Sequence, residues 1–250
     1  MDQNPYFSRR AWARAAGAMY MYIIVVGIWA EMFVRGKLVV YSDAAATAAN
    51  ILGAESIFRL AFSAELLHLA FDLVIAAILY VLFRPVHPIL SMAAALSRVG
   101  CDLVLGVASI SHFASLRLLK MSGDGTAFDA AQRQSLALLS LKLHGDAYSI
   151  SLVYFSFACV ALGILIARSR LLPHFIGWMM VLAGACYFVN SYIRFIAPDL
   201  ASKIGTVILI PCFFAELFLA VTLLFRGVRH PGDETSSSGF TSPPSHEPNQ

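Results

Sequence analysis

The sequence predicts an all-α polytopic transmembrane bundle of six spans, with short interfacial helices in the two longer outward loops. Three observations carry this. Of the 250 residues, 59% are hydrophobic and only 13% are charged, against about 25% charged in an ordinary soluble domain. A soluble fold could not hide that much apolar surface. The apolar residues also come in six blocks, each near the roughly 20 residues that cross a hydrocarbon core. Backbone groups in lipid must bond internally, so the blocks are helices. They lack the period-two alternation of a membrane barrel.

The six blocks are residues 12–34, 56–83, 87–116, 145–167, 173–196 and 205–225. The first follows the polar, basic start MDQNPYFSRRAWAR. It is longer than a signal-peptide core and no small-x-small cleavage site follows, so an uncleaved span is expected. Blocks two and three are joined by the tight Arg84-Pro85-Val86. Blocks four and five are joined by Arg168-Ser169-Arg170, and Pro173 opens the next helix as an N-terminal proline should. Two connections are longer. In 35–55, Asp43 precedes a run of small residues and caps a short helix. In 120–144, Gly123-Asp124-Gly125 is followed by Asp129 capping AAQRQSLALLSLKL. That apolar-striped helix is expected to lie in the interface.

Arg9, Arg10, Arg14, Arg84, Arg168, Arg170, Arg226 and Arg229 all fall at one set of block ends. The positive-inside rule places that side in the cytoplasm. The expected organisation is a cytoplasmic N-terminus (1–11), a six-span domain (12–226) and a cytoplasmic tail (227–250). The tail is rich in Ser, Pro and acids and is expected to be disordered. The expected home is the cytoplasmic membrane.

Several function classes fall away. The net charge of +3 is small and its basic residues mark orientation, so no nucleic-acid partner is expected. Cys101, Cys159, Cys186 and Cys212 lie inside apolar blocks without a C-x-x-C pair, and read as small hydrophobes. There is no P-loop, no Rossmann fingerprint and no G-x-S-x-G.

Ionisable residues inside a bilayer are costly and mark function by default. Asp72 lies 13 residues before Pro85 and Arg98 lies 13 after it. Equal depth on adjacent antiparallel helices predicts a pair near the midplane. His68 and Asp102 match likewise at 17 residues each. Glu65, His68 and Asp72 share one face of the second span; Arg98, Asp102, Ser109 and His112 share one face of the third. This hairpin therefore carries a polar seam. The competing reading is that a buried Asp–Arg pair only selects which helices touch.

Glu216 lies about nine residues from the end of the sixth block, roughly 14 Å by helical rise. Pro211, five residues upstream, is expected to kink the helix beside it. Glu216 either serves a binding site or bonds a neighbouring Ser, Tyr or Asn. A third group lies toward the outer side: Glu31, Arg35, Arg59, His112, His144, Asp146, Asn190 and Arg194. Glu31 with Arg35, and Asn190 with Arg194, are four apart and within pairing reach. The competing reading is a solvated interfacial belt.

Glu65 and His68 offer two ligands on one helical face, with His112 and His144 as further donors. Depth argues against a four-ligand cluster, since His112 lies 27 residues past Pro85 and His68 only 17 before it, an offset of about 15 Å. His112 and His144 are within reach of each other at the outer rim. No haem pair of histidines stands out. The sequence reading assigns no metal and no cofactor.

Gly27-Ile-Trp-Ala-Glu31-Met-Phe-Val-Arg35, Asp43-Ala-Ala-Ala-Thr-Ala-Ala-Asn50-Ile and Leu79-Tyr80 form one set of motifs. His144-Gly145-Asp146-Ala-Tyr148, Leu172-Pro173 with Ile176-Gly177, and Glu216-Leu217 form another. Together these resemble a widespread bacterial membrane family catalogued as domain of unknown function 4386, over about residues 10–228. The resemblance implies a compact multi-pass bundle and brings no activity or site residues.

Three functions stay open. One binds or processes a lipid-like small molecule, with Glu65, His68, Asp102 and Glu216 as acid–base groups able to exchange protons near neutral pH. Glu31, Asp72, Arg98, His112, His144, Asn190 and Arg194 would then bind and position it. Another is a proton- or ion-coupled transporter using Asp72, Arg98 and Glu216. With no inverted repeat, its six spans would call for a homodimer. The third is a structural or regulatory membrane protein whose polar residues only pack helices. The lipid bilayer is a partner in each.

Overall fold

The computed structural model describes residues 8–121 and 127–228. Gly123-Asp124-Gly125 and residues 229–250 of the tail expected to be disordered lie outside the described residues. All regular structure among the described residues is helical: α1 Arg9–Leu38, α2 Ala44–Gly53, α3 Glu55–Phe83, α4 Pro88–Lys120, α5 Ala130–Arg168, α6 His174–Ile196, α7 Pro198–Ile208 and α8 Ile210–Phe225. Six candidate spans are long and apolar enough to cross a membrane: α1, α3, α4, α5, α6 and the stretch Lys203–Phe225.

Local chemistry sets the boundaries. Ser8 accepts from the Ala11 amide to open α1. His87 Nδ1 accepts from the Leu90 amide at 3.1 Å, with Pro88 in the first turn of α4. Asp129 and Gln132 form a reciprocal capping box at the start of α5. The helix it caps does not lie separately in the interface as the sequence suggested. It runs without a break into the fourth span, making one helix of 39 residues. At about 1.5 Å per residue this far exceeds a roughly 30 Å hydrocarbon core, so its first turns project beyond it. No breaker separates the two parts, and Gly145 alone does not end a helix.

Two irregularities shape the bundle. Residues Trp29–Arg35 form a π-helical turn near the end of α1, in which the Gly36 amide donates to the Glu31 carbonyl five residues back. The sixth span breaks at Leu209, between α7 and α8. Pro211 lacks the amide that would bond the Val207 carbonyl, which is the bend the sequence placed there.

The six spans form a closed ring in chain order. α1 packs on α3, α3 on α4, α4 on α5, α5 on α6, α6 on α8, and α8 returns to α1. One end holds the Arg84 and Arg168 turns, the start of α1 and the end of α8; we call it the basic face. This half is filled by the main core, including Ile75, Leu82, Leu162, Ile166, Met180 and Leu219. At the opposite, far face α2 lies over α5, above a smaller core of Val39, Ile51, Phe58, Leu116, Leu138 and Leu141. Glu55, at the start of α3, ties Lys120 at 2.9 Å and Arg59 at 2.7 Å along that rim.

Between spans, small residues set the approach, because lipid offers little hydrophobic drive for association. A Cβ on Gly177 of α6 would fall 2.7 Å from backbone atoms of Gly163 and Ala167 on α5. A Cβ on Gly17 of α1 would fall 2.3 Å from the Leu224 amide nitrogen, where the ring closes. Gly27, by contrast, has nothing within 4 Å of its would-be Cβ. Gly177→Ala should therefore lower the thermal midpoint of detergent-purified protein by several degrees. Gly27→Ala should hold or raise it, by the roughly 0.5–1 kcal/mol that Ala gains over Gly within a helix. Scanning fluorimetry on the two variants checks this.

Candidate functional site

Inside the ring, at the depth where the main core ends, lies a cavity of about 250 Å³. All six spans line it. Tyr20, Ile23, Ile24 and Gly27 come from α1, His68 and Asp72 from α3, and Arg98, Cys101, Asp102 and Leu105 from α4. Tyr148, Ser151 and Phe155 come from α5, Tyr187 from α6, and Phe213 and Glu216 from α8. The wall is largely apolar with a few convergent polar groups, the composition of a small-molecule site.

The seam predicted on the second and third spans is partly as expected. Arg98 Nε donates to Asp72 Oδ1 at 2.9 Å and to Oδ2 at 3.0 Å, while its Nη2 donates to Oδ1 as well. Both residues are nearly inaccessible, at 4% and 3% exposure. The guanidinium also sits 4.7 Å from the Tyr20 ring centroid and 5.1 Å from that of Phe155, a cation–π clamp that holds it. Below it a much smaller pocket, toward the basic face, is lined by Tyr80, Ser91 and the other side of Arg98.

His68 and Asp102 do not pair. Both line the cavity, but no hydrogen bond joins them, and Asp102 Oδ2 is buried without any partner. Equal depth was necessary for the pair and insufficient, because Asp102 turns toward the Asp72 carboxylate instead. Glu216 is buried across the cavity and accepts a short hydrogen bond from the Tyr187 hydroxyl. The break at Leu209 lies two turns before it, so the last helix restarts with Phe213 and Glu216 facing inward.

The outer group divides. Arg35 is buried and bridges two acids: its Nε donates to Glu31 Oε2 at 2.8 Å, and its Nη1 donates to Glu65 Oε1. Nη1 also lies 3.5 Å from His112 Nδ1. Glu65 thus leaves the cavity's acid–base set and joins Arg35, His112 and His144. His112 Nδ1 is 3.2 Å from Glu65 Oε2, and the His112 and His144 ring centroids are 5.1 Å apart. Glu65 lies 20 residues before Pro85 and His112 lies 27 after it, so equal depth alone would not bring them together. Side chains lean toward the N-terminus of their own helix. On antiparallel α3 and α4 that makes Glu65 and His112 lean toward each other and closes the gap.

Asn190 and Arg194 do not meet. Arg194 is exposed and reaches Asp146 on α5 at 3.3 Å, while Asn190 lies against Gly205 of α7. The residue that sequence reasoning undervalued is Arg35. Only its spacing to Glu31 pointed to it, and nothing signalled the π turn, a feature frequent at functional sites.

A multi-pass ring with a polar cavity on its axis defines an integral membrane protein. The chain belongs to the family described as Domain of unknown function (DUF4386), whose model matches residues 15–227. No curated protein and no solved structure matches it.

Removing one partner of the central pair strands a buried charge, at a cost of about 3–5 kcal/mol. Asp72→Ala and Arg98→Ala should each sharply reduce the monodisperse fraction on size-exclusion chromatography. Asp72→Leu combined with Arg98→Met should recover part of it, since no charge is then left alone. Single variants that elute as wild type would show that the pair does not hold the ring together.

Proposed function

We propose that the protein binds or processes a lipid-like small molecule in the axial cavity, with His68, Asp102 and Glu216 as its acid–base groups. One observation carries this reading. Asp102 Oδ2 is buried on the wall of an apolar cavity with no donor from the protein bonded to it, and its carboxyl faces that of Asp72, another acceptor. An unpaired polar atom in such a place costs free energy unless a ligand bonds it. A seam used only for packing would close on itself, as Asp72 and Arg98 do. The cavity suits the head group of a small amphiphile that offers hydrogen-bond donors, since Asp102, Glu216 and Asp72 make the wall rich in acceptors.

Here the Asp72–Arg98 pair positions and the two acids exchange protons. Arg98 is held on three sides and does not move easily, so it fixes the charge against which Asp102 sits. His68, one turn from Asp72 on α3, is the third titratable group on the same wall. The basic face lies in the cytoplasm of a bacterial inner membrane by this reading, following the positive-inside rule.

A second reading, ion-coupled transport, draws on the small pocket beneath Arg98, which puts that side chain between two spaces. The two readings part on one measurement. Mass spectrometry of gently purified protein should release a co-purifying amphiphile. Glu216→Gln and His68→Ala should lower its occupancy at least several-fold while the protein remains monodisperse. An empty wild-type protein that acidifies or alkalinises proteoliposomes under an ion gradient would overturn the first reading in favour of the second.

A further inference from the structure

We propose that Glu65, His112 and His144 form a binding site for a divalent first-row transition ion, zinc foremost, set outward of the axial cavity. The inference is independent of what the cavity binds. Each of the three residues offers one ligand atom, and these atoms lie within 4.8 Å of one another. They come from three different helices of the ring, α3, α4 and α5. Two imidazoles and a carboxylate are a donor set that zinc accepts, with a fourth position left for water or a substrate atom.

Beside the ion pairs that Glu65 makes with Arg35 and His112, the surroundings carry features of a ligand set. His144 Nδ1 lies 3.1 Å from the Ala108 carbonyl. That bond fixes the protonated nitrogen and leaves Nε2 with its lone pair, the usual support for a metal-bound histidine. His112 is fully buried, and its Nε2 has no hydrogen-bond partner. Glu65 is oriented through Oε1 by Arg35, while Oε2 is buried and also lacks a hydrogen-bond partner. The 3.2 Å contact between Oε2 and His112 Nδ1 is not aligned as a hydrogen bond. Ligand atoms of a tetrahedral ion with 2.0–2.1 Å bonds lie roughly 3.3 Å apart. The widest separation, 4.8 Å, must shrink by about 1.5 Å on binding.

Charge points the same way. Arg35 is shared between Glu31 and Glu65, so it does not by itself neutralise Glu65. Glu31, Glu65 and Arg35 sum to one negative charge, so a divalent ion carrying one anionic ligand such as hydroxide in its open position balances them, as a single proton would. The competing arrangement is a proton on His112 in place of the metal.

The test uses the full chain, purified without a histidine tag, stripped with chelator, exposed to zinc chloride and desalted. Elemental analysis should find about one zinc per chain. Cobalt loaded in its place should show the intense visible absorption of a tetrahedral ion with nitrogen and oxygen ligands. His112→Gln and His144→Asn should each lower retention at least tenfold, while His174→Ala, on the basic face, leaves it unchanged. Should either ligand variant fail to fold, the wild-type stoichiometry and cobalt spectrum decide alone. Retention well below one ion per chain, or retention equal in both ligand variants and wild type, overturns the proposal and leaves the protonated-histidine arrangement.

Discussion

A charge that enters a hydrocarbon core must have its counter-charge there too, and the bundle is arranged around that demand. Asp72 and Arg98 meet halfway along the hairpin of α3 and α4, each almost wholly buried. Against an apolar alternative such a pair adds little stability, but either half alone is strongly unfavourable. It therefore acts as a registry device, since a slip of either helix separates the two groups. Tyr20 of α1 and Phe155 of α5 press on the same guanidinium. One side chain thus aligns four of the six spans.

The rest of the ring follows. The basic half is packed solid, and glycines bring α5 against α6 and α1 against the end of α8. Above the ion pair the helices cannot pack as closely, because the inward positions are polar and their partners are few. The cavity opens there, and the unsatisfied Asp102 oxygen and the Tyr187-bound Glu216 line it. One or two turns outward the same helices supply Glu65, His112 and His144. Two polar layers are thus stacked along one axis: an acid-rich cavity, and an imidazole–carboxylate cluster toward the far face.

These layers were unequally legible. The Asp72–Arg98 pair could be counted from the Pro85 turn, because a tight hairpin ties depth to residue number. His68 and Asp102 obeyed the same count and failed, since depth leaves the direction of the side chain undecided. Glu65 and His112 lie 20 and 27 residues from Pro85 and still meet, because their side chains lean toward each other across antiparallel helices. The continuation of the Asp129-capped helix into α5 was missed for a related reason. Its polar residues looked like an interfacial end, yet no proline or turn chemistry stopped the helix.

By itself, the sequence determined the solvent, the number of spans, the tight basic turns and the main ion pair. Each of these depends on composition or on distance along one hairpin. The tertiary structure decided the closure of α8 on α1, the placing of Arg35 between Glu31 and Glu65, and the approach of Glu65 to His112 and His144, which the sequence had already placed within reach of each other. The Arg35–Glu65, Arg35–His112 and Arg14–Phe225 contacts span 30, 77 and 211 positions. No local periodicity encodes such meetings, because they depend on how helices tilt and close around a common axis.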